Sequence, residues 1–260
     1  MDVVVSREEF PRFLPILEQM YPGTEREHVA LMHVANLISG KPASDDFHLV
    51  LQCQTTAALE HYGGMLSLVS DKFGFPAEGV CRNLFESVVG TVHLATNPQK
   101  LIDFLEYGKF IRYRQIRASK TTNPVFQKLQ AAEIAQTDNE YDVLKKKFKG
   151  KSWHGMTVEL LTKDAGMDNL YNTYYRRASS VAHGDAFNFY HFTDRGWQIG
   201  IPWNKWDRAA RTAMIFGYQL LVLLLERLNE HLKLGLDHEM QILTDLMNQM
   251  TAKDMQENAP

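Results

Sequence analysis

The sequence predicts an all-α protein, a multi-helix bundle carrying one minor β-hairpin. Three observations carry that expectation. Apolar residues recur at three- and four-residue spacing through most of the chain. Proline, glycine and Ser/Asp/Asn signals divide that pattern into nine or ten segments of helix length. Only the stretch 187–201 changes to a strand-like alternation.

Ser6-Arg-Glu-Glu9 is a capping-box pattern, in which side-chain oxygens satisfy the amides that a first helical turn leaves open. Phe10, Phe13, Leu14 and Leu17 follow at helical spacing, interrupted by Pro11 and Pro15. Tyr21-Pro-Gly breaks this short helix. Thr24 or Glu25 starts the next, and Val29, Leu31, Met32, Ala35 and Ile38 carry it to Gly40-Lys-Pro. Residues 1–43 therefore read as a helical hairpin extension before a bundle core at 44–232.

The core opens at Ser44-Asp-Asp with a helix running to Phe73, its buried side formed by Leu49, Leu51, Ala58, Leu59, Met65, Leu66 and Val69. Gly63-Gly64 is a place for a kink. After the Gly74-Phe-Pro76 break a fourth helix spans Glu78 to Ala95, and Asn97-Pro98 opens a fifth that reaches about Ser119. Asn123-Pro124 starts a sixth, ending in the lysine-rich Leu144–Lys151, which suits either phosphate contacts or a solvated helix end. A short helix covers Thr157–Ala165, and Asp168 is placed to cap the helix that runs to His183. Phe187–Phe192 and Trp197–Ile201, joined through Thr-Asp-Arg-Gly, form the hairpin. The longest apolar helix begins at Trp206 or Asp207 and ends at Leu232. A last helix from Asp237 to about Met250 and a polar tail make up 233–260.

At 260 residues the chain can bury a sizeable core without disulfides. Its 45% hydrophobic and 23% charged residues favour neither wholesale disorder nor a membrane class. The most apolar run, Met214–Leu225, is short for a bilayer and stops at Glu226-Arg227, so no membrane partner is expected. A net charge of −3 excludes a generally basic coat and leaves room for local patches. Cys53 and Cys81, with no partner spacing, predict buried free thiols and a cytoplasmic location. The first residues show no basic region before an apolar stretch, as a secretory signal would.

The chemistry concentrates in Tyr171–Asp185. On a helix Tyr171, Tyr175, Ser179 and His183 form one row, and Arg176, seven residues before His183, returns to nearly the same side. Arg177 points about 120° away on ideal geometry, and both arginines stay in play because Gly184 can distort the helix end. Arg and His together suit metal-independent RNA cleavage: imidazole removes the 2′-hydroxyl proton while guanidinium stabilises charge on the phosphate. Arg82 and Glu86 form an i, i+4 pair inside an otherwise apolar helix and need further partners, for which the residues near His183 are candidates. A small-ligand pocket lined by Trp153 and the tyrosines is another use of the same side chains.

Other chemistries find no support. His154, His183 and His191 lack metal-ligand spacing, and distant Glu86 or His93 would be needed to complete a site, so neither metal nor cofactor is expected. Gly63-Gly64 lacks the following Gly-Lys-Ser/Thr of a phosphate loop. Ser179 and Ser180 lack the strand-turn-helix setting of a hydrolase nucleophile.

Two segments carry a resemblance. Arg82-Asn-Leu-Phe-Glu86 with His93 and Asn97-Pro98, followed by Trp153, Tyr171, Tyr174-Tyr175, Ser179 and His183-Gly184, resembles the mostly prokaryotic helical proteins of domain-of-unknown-function family 5677, over about residues 45–230. That family pairs an Arg-x-x-x-Glu helix with a tyrosine-rich helix ending in Ser-x-x-x-His. The second segment is also similar to the motif of HEPN ribonucleases, an Arg followed four to six residues later by His in an all-helical fold that commonly dimerises. A polar residue, often Asn, usually follows the HEPN arginine; here Arg177 follows Arg176 and Ala178 follows Arg177. The resemblance implies a HEPN-like bundle and a homodimeric, metal-independent endoribonuclease of a prokaryotic defence or toxin system, with RNA as partner. It implies His183 as general base, Arg176 or Arg177 as phosphate stabiliser, and Tyr174, Tyr175 and Ser179 as positioning groups. The competing expectation is a non-catalytic binding or scaffold protein in which Arg82, Glu86, Tyr175 and His183 form a buried structural network.

Overall fold

The most apolar segment of the chain becomes the helix around which its neighbours gather. A computed structural model describes residues 13–119, 140–183 and 206–257, and every described element is helical. The capping box at Ser6–Glu9, the start of the sixth helix and the hairpin expected at 187–201 lie outside these residues. The elements are α1 (Leu14–Met20), α2 (Thr24–Ser39), α3 (Asp46–Ser70), α4 (Gly74–Thr96), a 3₁₀ turn (Pro98–Lys100), α5 (Leu101–Ser119), α6 (140–148) and α7 (Val158–Asp164). There follow α8 (Asp168–Leu170), a π-helical stretch (Tyr171–Tyr175), α9 (Arg176–His183), α10 (Trp206–Leu232) and α11 (Asp237–Glu257).

The chain divides into two compact units, Met1–Ala95 with Thr162–Pro260, and Thr96–Leu161. In the first unit α10 packs on α2, α3 and α11, α11 packs on α2, and α1 packs on α2 and α3, so the terminal helices are part of the core. Leu31 and Ile38 of α2, Leu51, Met65 and Val69 of α3, Leu84 and Phe85 of α4, Leu220, Leu221 and Leu224 of α10 and Leu243 of α11 are fully buried. Leu49, expected on the buried side of α3, is exposed, and so is Cys53, while Cys81 is buried. Ala209–Leu232 is long and apolar enough to cross a membrane, longer than the Met214–Leu225 run suggests, and most of that stretch is buried inside the protein.

Local signals explain most boundaries. Asp45 is the N-cap of α3, its carboxylate accepting from the His48 amide at 2.8 Å. At the other end Phe73 N–H donates to Leu68 C=O (2.7 Å) and Lys72 N–H to Val69 C=O (2.9 Å), the paired bonds of a Schellman turn. Lys72 occupies its left-handed position with φ 65°. The helix thus ends before Phe73, and α4 begins at Gly74 with Pro76 in its first turn, where a missing amide costs nothing. Asp168 opens α8 as its first residue, with Met167 rather than Asp168 at the cap.

The second unit has its own small core. Phe110, Leu144 and Phe148 are buried, with Tyr107, Ile111, Tyr113 and Tyr141 packed around them. Lys147 Nζ bridges Asp103 (2.7 Å) and Glu106 (2.5 Å), and the Arg117 guanidinium lies 4.2 Å over the Tyr141 ring. Trp153 meets Phe104 edge to face at 5.2 Å between centroids.

Candidate functional site

In the first unit α4 brings two carboxylates toward the helical run that ends at His183. Glu78 and Glu86 lie eight residues apart on α4, a little over two turns, and each receives a partner from that run. Tyr175 OH donates to Glu86 Oε1 at 2.8 Å, and Arg82 Nε donates to the same oxygen at 3.0 Å. The Tyr175 ring packs on Phe85 (4.8 Å) and stacks on Tyr171 (5.1 Å, 20°). Burial, and then the Glu86 carboxylate, raise the Tyr175 phenol above its ordinary value, so it remains a neutral donor. The Arg82 and Glu86 side chains are 26% and 37% exposed, so the pair sits at the edge of the core rather than inside it.

Arg177 reaches the other carboxylate. Its Nη2 lies 2.7 Å from Glu78 Oε1 and its Nε donates to Oε2 at 3.3 Å. The shorter approach is an ion pair without hydrogen-bond alignment, since Oε1 accepts no aligned donor among the described residues. Glu78 is 3% exposed, and burial raises its carboxyl against the lowering effect of Arg177. A water-sized space of about 10 Å³ separates this pair from Cys81, Tyr174 and Ala213. Burial, followed by the Glu78 charge, pushes the Cys81 thiol well up, which makes it a packing residue rather than a nucleophile.

The π-helical stretch decides which tyrosines face inward. A turn closed by an i→i+5 bond holds an extra residue and rotates the side chains beyond it about the helix axis. Tyr174 consequently stacks on Phe216 of α10 (4.5 Å, 17°) while its neighbour Tyr175 faces Phe85 of α4.

From Arg176 the helix is regular α, and the two arginines part company. Arg176 is exposed, its guanidinium 5.6 Å from the Tyr171 ring centroid. His183, the last residue of α9, is also exposed and makes no hydrogen bond or ion pair among the described residues. A seven-residue separation places Arg176 and His183 on one face roughly 10 Å apart along the axis. Ser179 is half-buried between them in sequence.

The structure thus brings Arg82, Glu86 and Tyr175 together, couples Arg177 to Glu78, and leaves His183 outside both groups. Glu78 was legible only as a helix start, although a carboxylate that shares the Cys81 and Phe85 face at i, i+3 and i+7 is a signal of a buried charge needing a cation. His93 Nδ1 pairs with Asp164 Oδ2 at 2.6 Å, and no three His, Cys, Asp or Glu side chains converge among the described residues.

Residues 48–198 match the family of unknown function DUF5677. The chain belongs to DUF5677. Neither a curated protein nor a solved structure matches it. The DUF5677 region begins in α3 and takes in Glu78, Arg82, Glu86, the tyrosines, both arginines and His183. The whole of α2, α10 and α11 lies beyond it, so this DUF5677 chain completes its core with helices outside the matched region.

Proposed function

We propose that this DUF5677 protein is a HEPN-like, metal-independent endoribonuclease, working as a cytoplasmic homodimer in a prokaryotic defence or toxin system. The observation that carries the reading is the division of labour on α9: Arg176 and His183 share an exposed face, whereas Arg177 is held by Glu78. His183 takes the 2′-hydroxyl proton of RNA, the 2′ oxygen attacks phosphorus, the bond to the 5′ oxygen breaks and water protonates that oxygen, the resulting hydroxide being neutralised by the proton that His183 releases, giving a 2′,3′-cyclic phosphate and a 5′-hydroxyl. Arg176 binds the phosphate oxygens on which charge builds. Tyr174 and Tyr175, packed on Phe216 and Phe85, are positioning residues that fix the π-helical stretch and so aim α9, and Ser179 is a positioning group on α9 itself. With its guanidinium turned back over Tyr171, Arg176 is extended away from His183. A two-fold pairing of α9 helices would place the Arg176 of one copy beside the His183 of the other.

Charge distribution supports a polyanionic substrate. Thr96–Leu161 carries twelve Lys and Arg against seven Asp and Glu, a net +5 in a chain of net −3. Lys145, Lys146 and Lys149 stand exposed on and just after α6.

The test is cleavage of labelled single-stranded RNA by the full chain in EDTA. His183→Ala and Arg176→Ala should each lose at least about a hundredfold in rate, with melting temperatures within about 2 °C of the parent, as expected for exposed positions. Arg177→Ala should instead destabilise by about 3 kcal/mol, because it leaves the buried Glu78 without its cation. Mixing inactive His183→Ala and Arg176→Ala chains should restore part of the activity if the two residues act across a dimer. Equal cleavage by wild type and His183→Ala would remove the reading.

The competing reading, a non-catalytic binding or scaffold protein, draws on the Arg82–Glu86–Tyr175 network, which holds α4 to the helical run without any part played by His183. It predicts no cleavage by the wild type, and a lower melting temperature for Glu86→Ala but not for His183→Ala.

A further inference from the structure

Far from α9 in sequence, the first turn of α2 meets α10 and α11 around a cavity of about 220 Å³. Every residue of its wall lies outside the segment that DUF5677 matches. Its most unusual member is Glu27. The residue is 9% exposed, and its carboxyl accepts no hydrogen bond and makes no ion pair among the described residues. An unpartnered buried carboxyl is costly to maintain. Two cations flank it, and both rest on neutral oxygens: Arg26 Nη2 donates to Gln249 Oε1 (2.8 Å) and Lys253 Nζ to the Pro22 carbonyl (2.9 Å). Arg211 of α10 also lines the cavity, its guanidinium 5.5 Å from the Tyr21 ring. Met214, Ile215 and Met250 supply an apolar wall.

The α2 amides are not what makes the site. Gly23 N–H and Glu25 N–H already donate to the Glu18 carboxylate at 2.9 and 2.8 Å. What remains is a buried carboxyl without a donor among the described residues, the solvent-exposed Arg26 guanidinium and Lys253 ammonium near it, and an apolar surface beside them. The volume falls below the roughly 300–1,000 Å³ of drug-sized sites, which restricts the ligand to the size of an amino acid.

We infer that this cavity binds a small zwitterion with an apolar body, of the α-amino-acid class, its ammonium on Glu27 and its carboxylate on Arg26 and Lys253. The apolar body lies against Met214, Ile215 and Met250. Ionisation behaviour agrees with that polarity. Burial pushes Glu27 up to about 7, with Arg26 and Lys253 pulling it down and Glu18 of α1 pushing it further up. An ammonium bound against it favours the charged form, so binding near neutral pH releases a proton.

The inference is independent of the ribonuclease reading and is tested on the full chain by calorimetric titration with L-leucine, L-methionine and L-phenylalanine. The same titrations are made with N-acetyl-L-methionine, which lacks the ammonium, and L-methioninamide, which lacks the carboxylate. At least one free amino acid should bind, and capping either end should weaken it by at least about tenfold. The binding heat should vary with the ionisation enthalpy of the buffer, reporting the released proton. In Glu27→Gln the dependence on buffer should disappear and the affinity fall by about tenfold or more, and Arg26→Met with Lys253→Met should remove the preference for a free carboxylate. The proposal is overturned if none of the three amino acids binds, if capped and free forms bind alike, or if inorganic phosphate alone competes as well as the amino acid.

Discussion

Tyr175 places its ring in the core against Phe85 and its hydroxyl on a carboxylate at the core's edge. Removing only the hydroxyl should therefore leave packing intact and delete one charge-assisted bond. Tyr175→Phe is expected to cost about 1 kcal/mol, discounted from a buried value because Glu86 stays hydrated. The melting temperature should fall by about 2–4 °C, and the loss should vanish in a Glu86→Ala background if the bond is the cause. An equal loss in both backgrounds would assign the effect to the ring instead. Arg82 and Glu86 were legible in the sequence because a charged i, i+4 pair in an apolar helix announces a need for further partners. Which residues answer that need depends on the neighbouring helix. Spacing places Tyr171, Tyr175, Ser179 and His183 in one row, yet the row carries Tyr175 into the core and leaves His183 in solvent. The pairing of Glu78 with Arg177 joins residues 99 positions apart in the chain, and periodicity along one helix carries no information on such a pair.

At the level of elements, Gly217 lets α10 lie close against α3. A Cβ there would fall 2.9 Å from both Sδ and Cε of Met65 and 3.1 Å from Tyr62 Cδ2, both residues of α3. Met65 is fully buried, so its thioether has no free path by which to move away. Gly217→Ala should lower stability by about 1–2 kcal/mol, overpacking outweighing the better helix propensity of alanine. With Met65→Ala the added methyl fits the vacated space, so the two changes should be less than additive in urea unfolding. Full additivity would mean that the helices do not meet at this point. Helix limits were readable wherever a residue's chemistry enforces them: Asp45 caps α3, Gly166 ends α7 with φ 68°, and α10 runs from Trp206 to Leu232 as its apolar pattern predicts. The stop after Ser70 was not readable, because a lysine occupies the left-handed position that glycine normally signals. The π-helical turn was not readable either. Its sequence, Tyr-Asn-Thr-Tyr-Tyr, suits an α-helix equally well, and only the separate aromatic partners of Tyr174 and Tyr175 on two other helices favour the wider turn.

For the whole molecule, two adjacent residues of α2 shape how stability varies with pH. Burial lowers His28 to about 3 and raises Glu27 to about 7. His28 bonds the Tyr62 hydroxyl and packs beside Tyr218, while Glu18, Arg26 and Lys253 act on Glu27 from α1, α2 and α11. Between pH 3 and about 6.5 the unfolded chain protonates His28 and the folded chain does not, so this residue makes stability rise with pH. Between about 4.5 and 7 the folded chain protonates Glu27 and the unfolded chain does not, so that residue makes stability fall with pH. Where the windows overlap, from about 4.5 to 6.5, the two contributions oppose each other, each on the order of 1.4 kcal/mol per pH unit. Below about 4.5 only the His28 contribution remains, and stability falls steeply toward acid. Glu27→Gln should unmask the rise between 4.5 and 6.5 that the wild type conceals, and His28→Gln should unmask the fall. Urea unfolding across that range measures both slopes, and the differences between variants cancel the exposed carboxylates common to all three. If Glu27→Gln and wild type show the same slope, the Glu27 carboxyl is ionised throughout and its environment in the folded chain is far more polar than its burial implies.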